Sequence, residues 1–292
     1  MAFPFQKYLP KRFRSDAIVV PVVRLSGPIM AGSGPLRASI SLASVAPLLE
    51  KAFAMKASPV VALSINSPGG SPVQSRLIYR RIRDLAAEKK KHVIVFVEDV
   101  AASGGYMIAC AGDEIVADPS SIVGSIGVVS GGFGFVEALQ KLGVERRVHT
   151  SGTNKAVLDP FRPEREEDVA HLLALQKEIH ETFIDLVKDS RGAKLADHPD
   201  LFTGLFWTGR RGIDLGLVDS LGDARSVLKE RYGEKVKLAL VQPARGFLSR
   251  RFGSGSASME GGFLDPARIG TGVIDRLASI AEERLLYARY GL

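Results

Sequence analysis

The sequence predicts an α/β fold in which a mostly parallel β-sheet is covered by helices on both faces. Residues 17–25, 60–65 and 93–97 are short, largely apolar runs, which is typical of strands buried on both sides. The segments between them carry apolar residues every three or four positions, which is typical of helices. Strands that alternate with helices in this way usually run parallel in one sheet.

The first half of the chain supplies these elements in a regular order. The first strand precedes a predicted helix at 41–55, whose apolar residues recur at helical spacing: Leu42, Val45, Leu48, Leu49 and Phe53. The strand at 60–65 ends in NSPGG, a strong turn signal, and 73–90 is a basic amphipathic helix. The strand at 93–97 follows, and another helix opens after it at Ser103.

The second half contains shorter elements and one long helix. Residues 164–191 are predicted to be helical because their apolar positions recur every three or four residues. Residues 205–221 are interrupted by glycines and have no assigned element. Short strands are predicted at 114–117, 127–130, 145–150 and 236–241, and short helices at 135–142 and 223–232.

The composition divides the chain into one folded domain and three appendages. Residues 17–243 form the predicted domain, preceded by a basic N-terminal arm at 1–16. A Gly/Ser-rich stretch within 244–264 predicts a flexible linker. Residues 265–292 are predicted to form a helical tail.

Charge and cysteine usage exclude several classes of protein. The net charge is +7, but the basic residues are scattered without interleaved aromatic residues, so no nucleic-acid partner is expected. Cys110 is the only cysteine, which excludes an internal disulfide and a cysteine zinc cluster, and its apolar surroundings predict a core position. No metal or other cofactor is expected.

Hydropathy predicts neither a membrane-spanning helix nor a secretory signal. No run of 18 or more uncharged apolar residues occurs, and the first residues lack an apolar core. The basic, aromatic N-terminus could make a peripheral membrane contact. A cytoplasmic protein is therefore expected, with at most peripheral contact at the inner membrane.

Two similar turns follow two of the buried strands. SPGG ends at Gly70, and ASGG contains Ser103 and Gly104. Because the carboxyl ends of neighbouring parallel strands face one crevice, a glycine N–H of the first turn and the Gly104 N–H could hold one oxyanion beside a Ser103 nucleophile. The alternative is a serine N-cap followed by two glycines that allow close strand–helix packing.

A serine nucleophile needs a base, and the sequence offers two kinds. None of the five histidines lies in a local motif that marks a triad base, and His92 precedes the strand that leads to Ser103. Lys155 lies in the loop SGTNK, where a lysine could act as a base in its neutral form or could simply be solvated.

The motifs resemble the signal peptide peptidase A family of serine proteases, in the ClpP/crotonase superfamily, whose core stacks ββα units. The resemblance covers residues 17–242 in consistent order. The matching segments are SINSPGG at 64–70, AASGGY at 101–106, VGSIGV at 123–128, SGTNK at 151–155, PFRP at 160–163 and TGRRGIDLGLVD at 208–219.

The resemblance implies a serine endopeptidase with a Ser–Lys dyad and no cofactor. It implies that Ser103 is the nucleophile, Lys155 the general base and Ser125 the hydroxyl that orients the lysine, while Gly70 and Gly104 supply the oxyanion hole. It also implies a ring-like homo-oligomer whose dyad is completed across subunits. The expected substrates are peptides, such as signal-peptide remnants or unfolded segments.

Two other functions stay open on sequence grounds. A crotonase-like acyl-CoA hydratase or isomerase would need carboxylates at the crevice, for which Asp99 is near enough in sequence, although the Ser-Gly-Gly turn argues against it. A non-catalytic, membrane-associated ring scaffold would have a degenerate site, whereas Ser103, Ser125 and Lys155 are all present.

Overall fold

The computed structural model describes residues 17–32, 39–242 and 287–290. The strands are β1 Val19–Ser26, β2 Val60–Ser67, β3 His92–Ala102, β4 Glu114–Ala117, β5 Ile122–Gly124, β6 Phe206–Thr208, β7 Ser220–Leu221 and β8 Lys237–Leu240. The helices are α1 Leu42–Phe53, α2 Pro72–Lys89, α3 Gly104–Ala109, α4 Val136–Lys141, α5 Glu166–Arg191, α6 Gly209–Asp214 and α7 Ala224–Tyr232. None of the described helices is long and apolar enough to cross a membrane.

The strands form one sheet, which confirms the predicted α/β class. Its order is β6-β5-β3-β2-β1-β8, and β4 lies between β3 and β7. Each pairing is parallel except that of β5 with β6, which is antiparallel. The first half of β3 pairs with β4 and its second half with β5, so β3 is the strand around which the sheet divides.

Both faces of the sheet are covered, as the apolar strands predict. In β2, Val61, Leu63 and Ile65 join the core formed with α1, α2, α3 and α5. The alternate residues Val60 and Ala62 pack on the opposite face with Val227 and Leu228 of α7. Successive side chains of a strand point to opposite faces, so a strand buried on both sides must be apolar throughout.

Two predicted strands are wrong. Residues 127–130 and 145–150 contain no strand, whereas β5 lies earlier, at Ile122–Gly124. The backbone turns out of the sheet at Ser125, whose φ is +53°, so the apolar run after it cannot continue the ladder. Three short elements between 205 and 221, β6, α6 and β7, were not predicted.

Residues 131–165 form an arm that carries several exposed large apolar side chains: Phe133, Phe135, Leu142, Val144 and Phe161. Helix α4 has no buried residue. The arm is held by internal contacts: the Phe135 N–H donates to Pro160 O at 2.7 Å, the rings of Phe135 and Phe161 lie 5.5 Å apart, and Arg146 pairs with Asp159. The arm is thus internally ordered while it leaves an apolar surface uncovered.

The chain end returns to the sheet at the carboxyl end of β3. Tyr290 is buried against Val100 and Ala102, with Tyr287 and Ile122 beside it. The predicted N-terminal arm at 1–16, the linker at 244–264 and the rest of the predicted helical tail lie outside the described residues.

Candidate active site

The site forms where β2 and β3 end side by side. Ser67 and Ala101 are paired in the parallel ladder, so the turns that follow both strands meet. They interlock without space for a side chain: a Cβ on Gly69 would lie 2.8 Å from both the Gly104 N and the Ser103 Cβ. The two glycine turns predicted from the sequence therefore form one structure.

Ser103 occupies this junction in a strained conformation. Its φ and ψ are +52° and −123°, which costs a non-glycine residue about 1–3 kcal/mol. Its N–H donates to Gly124 O at 2.8 Å, but its side chain makes no capping bond to α3. Ser103 thus occupies the N-cap position of α3 without the side-chain hydrogen bond of a capping serine, and it lines the cavity described below.

The residues after Ser103 let α3 pack directly on the end of β2. A Cβ on Gly105 would lie 2.4 Å from Ser67 O, so only glycine fits. Tyr106 is fully buried and donates its hydroxyl proton to Leu217 O at 2.8 Å. These contacts hold the start of α3, and with it Ser103, in place.

Gly70 and Gly104 face each other across the junction. A Cβ on Gly104 would lie 3.4 Å from the Gly70 N. Within the described residues, neither the Gly70 N–H nor the Gly104 N–H has a hydrogen-bond acceptor. Two neighbouring donors without acceptors beside a serine can stabilise an oxyanion.

Ser125 lies beside Ser103 because β5 pairs with the end of β3. Ala102 and Gly124 are partners in this ladder, and each is followed by a serine with positive φ. Ser125 is buried, and its N–H donates to Leu205 O at 2.8 Å. The structure therefore places Ser103, Ser125, Gly70 and Gly104 together.

Tyr290 is a site residue that the sequence reasoning missed. Its hydroxyl lies 3.2 Å from Ser125 Oγ and 3.3 Å from Pro68 O. Its ring packs edge-on against Phe206, with centroids 5.0 Å apart. No local pattern could have indicated this contact, since 165 positions separate Tyr290 from Ser125.

Lys155 does not reach this site within the single chain. It lies on a turn of the arm, is exposed and does not line the cavity beside Ser103. Among the described residues, its side chain has no hydrogen-bond or ion-pair partner. The single chain thus contains the predicted nucleophile, the lysine-orienting serine and the oxyanion donors, but not the predicted base.

The cavity beside Ser103 has a volume of about 520 Å³ and is mainly apolar. Its apolar side chains come from four segments: Pro68, Pro72, Met107, Val128, Val129, Ile179 and Phe183. His180 also lines it, with Nε2 3.0 Å from Ile126 O. No carboxylate is among the described residues that line the cavity.

The carboxylates closest in sequence to Ser103 are engaged elsewhere. Asp99 accepts a hydrogen bond from Asn66 Nδ2 at 2.7 Å. Burial would raise the pKa of Glu98, but hydrogen bonds from Arg24 and Ser64 outweigh burial and lower it. Burial also raises the pKa of the Cys110 thiol to about 12, so this thiol is an inert core group, as predicted.

A strained serine beside two backbone N–H groups that have no acceptor among the described residues is the arrangement found in hydrolases of the serine type. The model of peptidase family S49 matches residues 86–237. A Synechocystis protein named as a protease is 32% identical over 204 residues, which cover 68% of this chain and 73% of that protein. The chain belongs to peptidase family S49, which confirms the resemblance to the signal peptide peptidase A family.

Two further relatives are longer than the chain. The chloroplastic serine protease SPPA of Arabidopsis thaliana is 29% identical over 283 residues, which cover 91% of this chain and 42% of that protein. A Brucella abortus protein named Na(+)/H(+) antiporter NhaA is 62% identical over 287 residues, covering 98% of this chain. The chain spans only 39% of that Brucella protein.

Proposed function

We propose that the protein is a serine endopeptidase with a Ser103–Lys155 dyad, completed by the lysine of a neighbouring copy of the chain. The observation that carries this proposal is the strained Ser103 beside the N–H groups of Gly70 and Gly104, which have no acceptor among the described residues. Membership of a peptidase family supports peptide-bond hydrolysis as the reaction.

The proposed reaction proceeds in two proton-balanced stages. Neutral Lys155 takes the Ser103 proton while Oγ bonds to the peptide carbonyl carbon, and the Gly70 and Gly104 N–H groups hold the oxyanion. Protonated Lys155 then gives its proton to the leaving amine as the C–N bond breaks. Water then loses a proton to the same lysine as it attacks the acyl ester, and the protonated lysine returns that proton to Ser103 Oγ as the ester bond breaks and the peptide acid leaves.

The exposed arm supports a base supplied by a neighbouring copy. It carries Lys155 together with apolar side chains that are largely exposed: Phe133 is 81% and Leu142 75% accessible. Adjoining the arm, Val129 is 70% accessible. Exposed apolar surface on this scale favours burial against another molecule, and a closed ring of copies would bring the arm of one chain to the site of the next.

The cavity favours peptides with apolar side chains near the cleaved bond. Met107, Ile179 and Phe183 line it together with the cationic Arg289, and none of the described lining residues is a carboxylate that would select a cationic side chain. Signal-peptide remnants and unfolded segments both present such residues. Because no carboxylate lines the cavity among the residues that the structure describes, it gives no support to an acyl-CoA hydratase, which would need one to move protons.

The test compares four single variants on a fluorogenic peptide with apolar residues around the scissile bond. Ser103→Ala and Lys155→Ala are each expected to lower kcat/KM by at least about 10³-fold, since nucleophile and base act as a unit. Ser125→Ala is expected to cost about 10- to 100-fold through misplacement of the lysine.

Lys141→Ala is the matched control, because it removes an exposed lysine at the end of α4 in the same arm. It should cleave at the rate of the unmodified protein. Full cleavage by folded Ser103→Ala or Lys155→Ala would contradict the proposed dyad.

A further inference from the structure

Tyr290 connects the two turns of the site that lie on either side of Ser103. Its hydroxyl is within hydrogen-bond distance of Pro68 O, in the turn that carries Gly70, and of Ser125 Oγ. Tyr290 is 7% exposed, and its ring is held by Phe206, Val100 and Ala102. The hydroxyl is therefore fixed at this position rather than free to rotate into solvent.

The single proton of the Tyr290 hydroxyl can be donated to Pro68 O at 3.3 Å or to Ser125 Oγ at 3.2 Å, but not fully to both. Both contacts are hydrogen bonds at the same time only if Tyr290 donates to the Pro68 carbonyl, which can only accept, and accepts the proton of Ser125. In that arrangement Ser125 Oγ keeps lone pairs that can accept an N–H, and it has no proton left to donate to a lysine nitrogen.

This direction matters for a lysine that must act as a base. If Ser125 donated to the amine nitrogen, it would occupy the lone pair that has to take the Ser103 proton. A Ser125 hydroxyl that can only accept instead holds the amine through one N–H and leaves the nitrogen lone pair available.

We propose that Tyr290 is a positioning residue, which orients the Ser125 hydroxyl so that it accepts from the catalytic lysine. This inference rests on the proposed Ser–Lys function, and it assigns the chain end a role in the site. Tyr287 anchors the same turn of chain, since its hydroxyl donates to Asn66 O at 2.9 Å, but the hydroxyl of Tyr290 alone contacts Ser125 among the described residues.

The test is a double-mutant cycle in the 292-residue chain with the fluorogenic peptide. Tyr290→Phe keeps the ring against Phe206 and removes only the hydroxyl. It should lower kcat on the order of fivefold, the size expected for one hydrogen bond, with KM unchanged. Because Tyr290 acts through Ser125, Tyr290→Phe should have no further effect in a Ser125→Ala background.

Tyr287→Phe is the matched control, since it removes a hydroxyl from the same segment that bonds to a backbone carbonyl, and it should keep the kcat of the unmodified protein. An unchanged or higher kcat for Tyr290→Phe would overturn the proposal. The proposal would also be overturned if the loss of kcat in the double variant equalled the product of the losses in Tyr290→Phe and Ser125→Ala. Multiplied effects would indicate general destabilisation by loss of the hydroxyl.

If Ser125→Ala has no measurable turnover, the Tyr290→Phe effect on kcat relative to Tyr287→Phe decides the outcome. Failure of the dyad itself is recognised separately, because Ser103→Ala and Lys155→Ala would then cleave normally. If Ser103→Ala and Lys155→Ala are inactive while Tyr290→Phe is fully active, the dyad stands and the positioning role of Tyr290 is refuted.

Discussion

At the scale of single residues, the site depends on two serines that follow paired parallel strands with positive φ. Ser103 and Ser125 have φ values of +52° and +53° and follow the paired residues Ala102 and Gly124. A positive φ strains the backbone of a serine, and the packing of the surrounding residues must offset this strain. The two hydroxyls consequently lie at one edge of the sheet.

Gly70→Ala tests how strictly the oxyanion turn is constrained. The φ of Gly70 is +139°, and a Cβ there would lie 2.1 Å from Ile29 O, so the backbone must shift. We expect kcat to fall by about 10²- to 10³-fold, the loss typical of one displaced oxyanion donor. Peptide cleavage and the thermal unfolding midpoint are the measurements.

Gly131→Ala is the control for this substitution. A Cβ at Gly131 meets no atom within 4 Å, and its φ is not in the positive range. Cleavage at the unmodified rate is expected there. Normal kcat in Gly70→Ala would mean that the Gly70 N–H does not contact the reacting carbonyl.

At the scale of elements, the segment after α6 is tied to the end of α5 by two ion pairs that share the Asp219 carboxylate. Arg191, at the end of α5, bonds to both oxygens of Asp219, and Lys194 donates to the same carboxylate at 2.7 Å. Asp219 also accepts the Ile115 N–H of β4 at 2.7 Å. The aspartate that ends the 208–219 motif therefore ties α5 to the sheet and has no contact with the cavity.

Asp219→Asn should destabilise the fold by about 3 kcal/mol, because it leaves the almost fully buried Arg191 without a counter-charge. Burial would raise the pKa of Asp219, but hydrogen bonds from Arg191 and Lys194 lower it overall. A carboxyl whose pKa is lower in the folded state stabilises that state at pH values above its unfolded pKa of about 4. This stabilisation is lost as the pH falls through the pKa of the folded state.

Urea unfolding at about pH 7 and about pH 3 measures this prediction. The difference between Asp219→Asn and the unmodified chain should be largest at neutral pH and shrink in acid. Asp214→Asn, whose ion pair with Arg211 is about half exposed on both sides, should change stability by under about 0.5 kcal/mol. A pH-independent effect at Asp219 would refute the electrostatic explanation.

At the scale of the whole molecule, one chain holds an incomplete proposed dyad. Ser103 and the oxyanion donors are ordered by the sheet, while Lys155 is on the exposed arm. If the arm of one copy reaches the site of the next, activity depends on assembly as well as on folding.

Mixing inactive chains tests whether the dyad crosses between copies. Co-expressed Ser103→Ala and Lys155→Ala chains each supply the group that the other lacks. Random assembly should restore about a quarter of the unmodified activity, because an active site needs the serine-bearing variant on one side and the lysine-bearing variant on the other.

Each variant expressed alone should be inactive, and the mass of the mixed assembly should equal that of the unmodified one. A mixed assembly of normal mass without activity would show that serine and lysine must come from the same chain.

The sequence predicted the long, periodic elements because each has a clear apolar pattern. Burial on both faces of β2 and β3 requires a continuous apolar run, and an amphipathic helix carries apolar residues every three or four positions. It failed at β5, β6 and β7, which have two or three residues each. Such strands are defined by their partners: β5 exists because Ile122–Gly124 pairs with the end of β3 and with β6.

The sequence by itself determined the fold class, the two glycine turns and the chemistry that Ser103 could perform, because periodicity and steric demand are local properties. Only the tertiary structure placed Ser125 beside Ser103, brought Tyr290 onto Ser125 and left Lys155 on an exposed arm. These relations join residues far apart in the chain, and they follow from the pairing of strands and the packing of side chains, which no local pattern specifies.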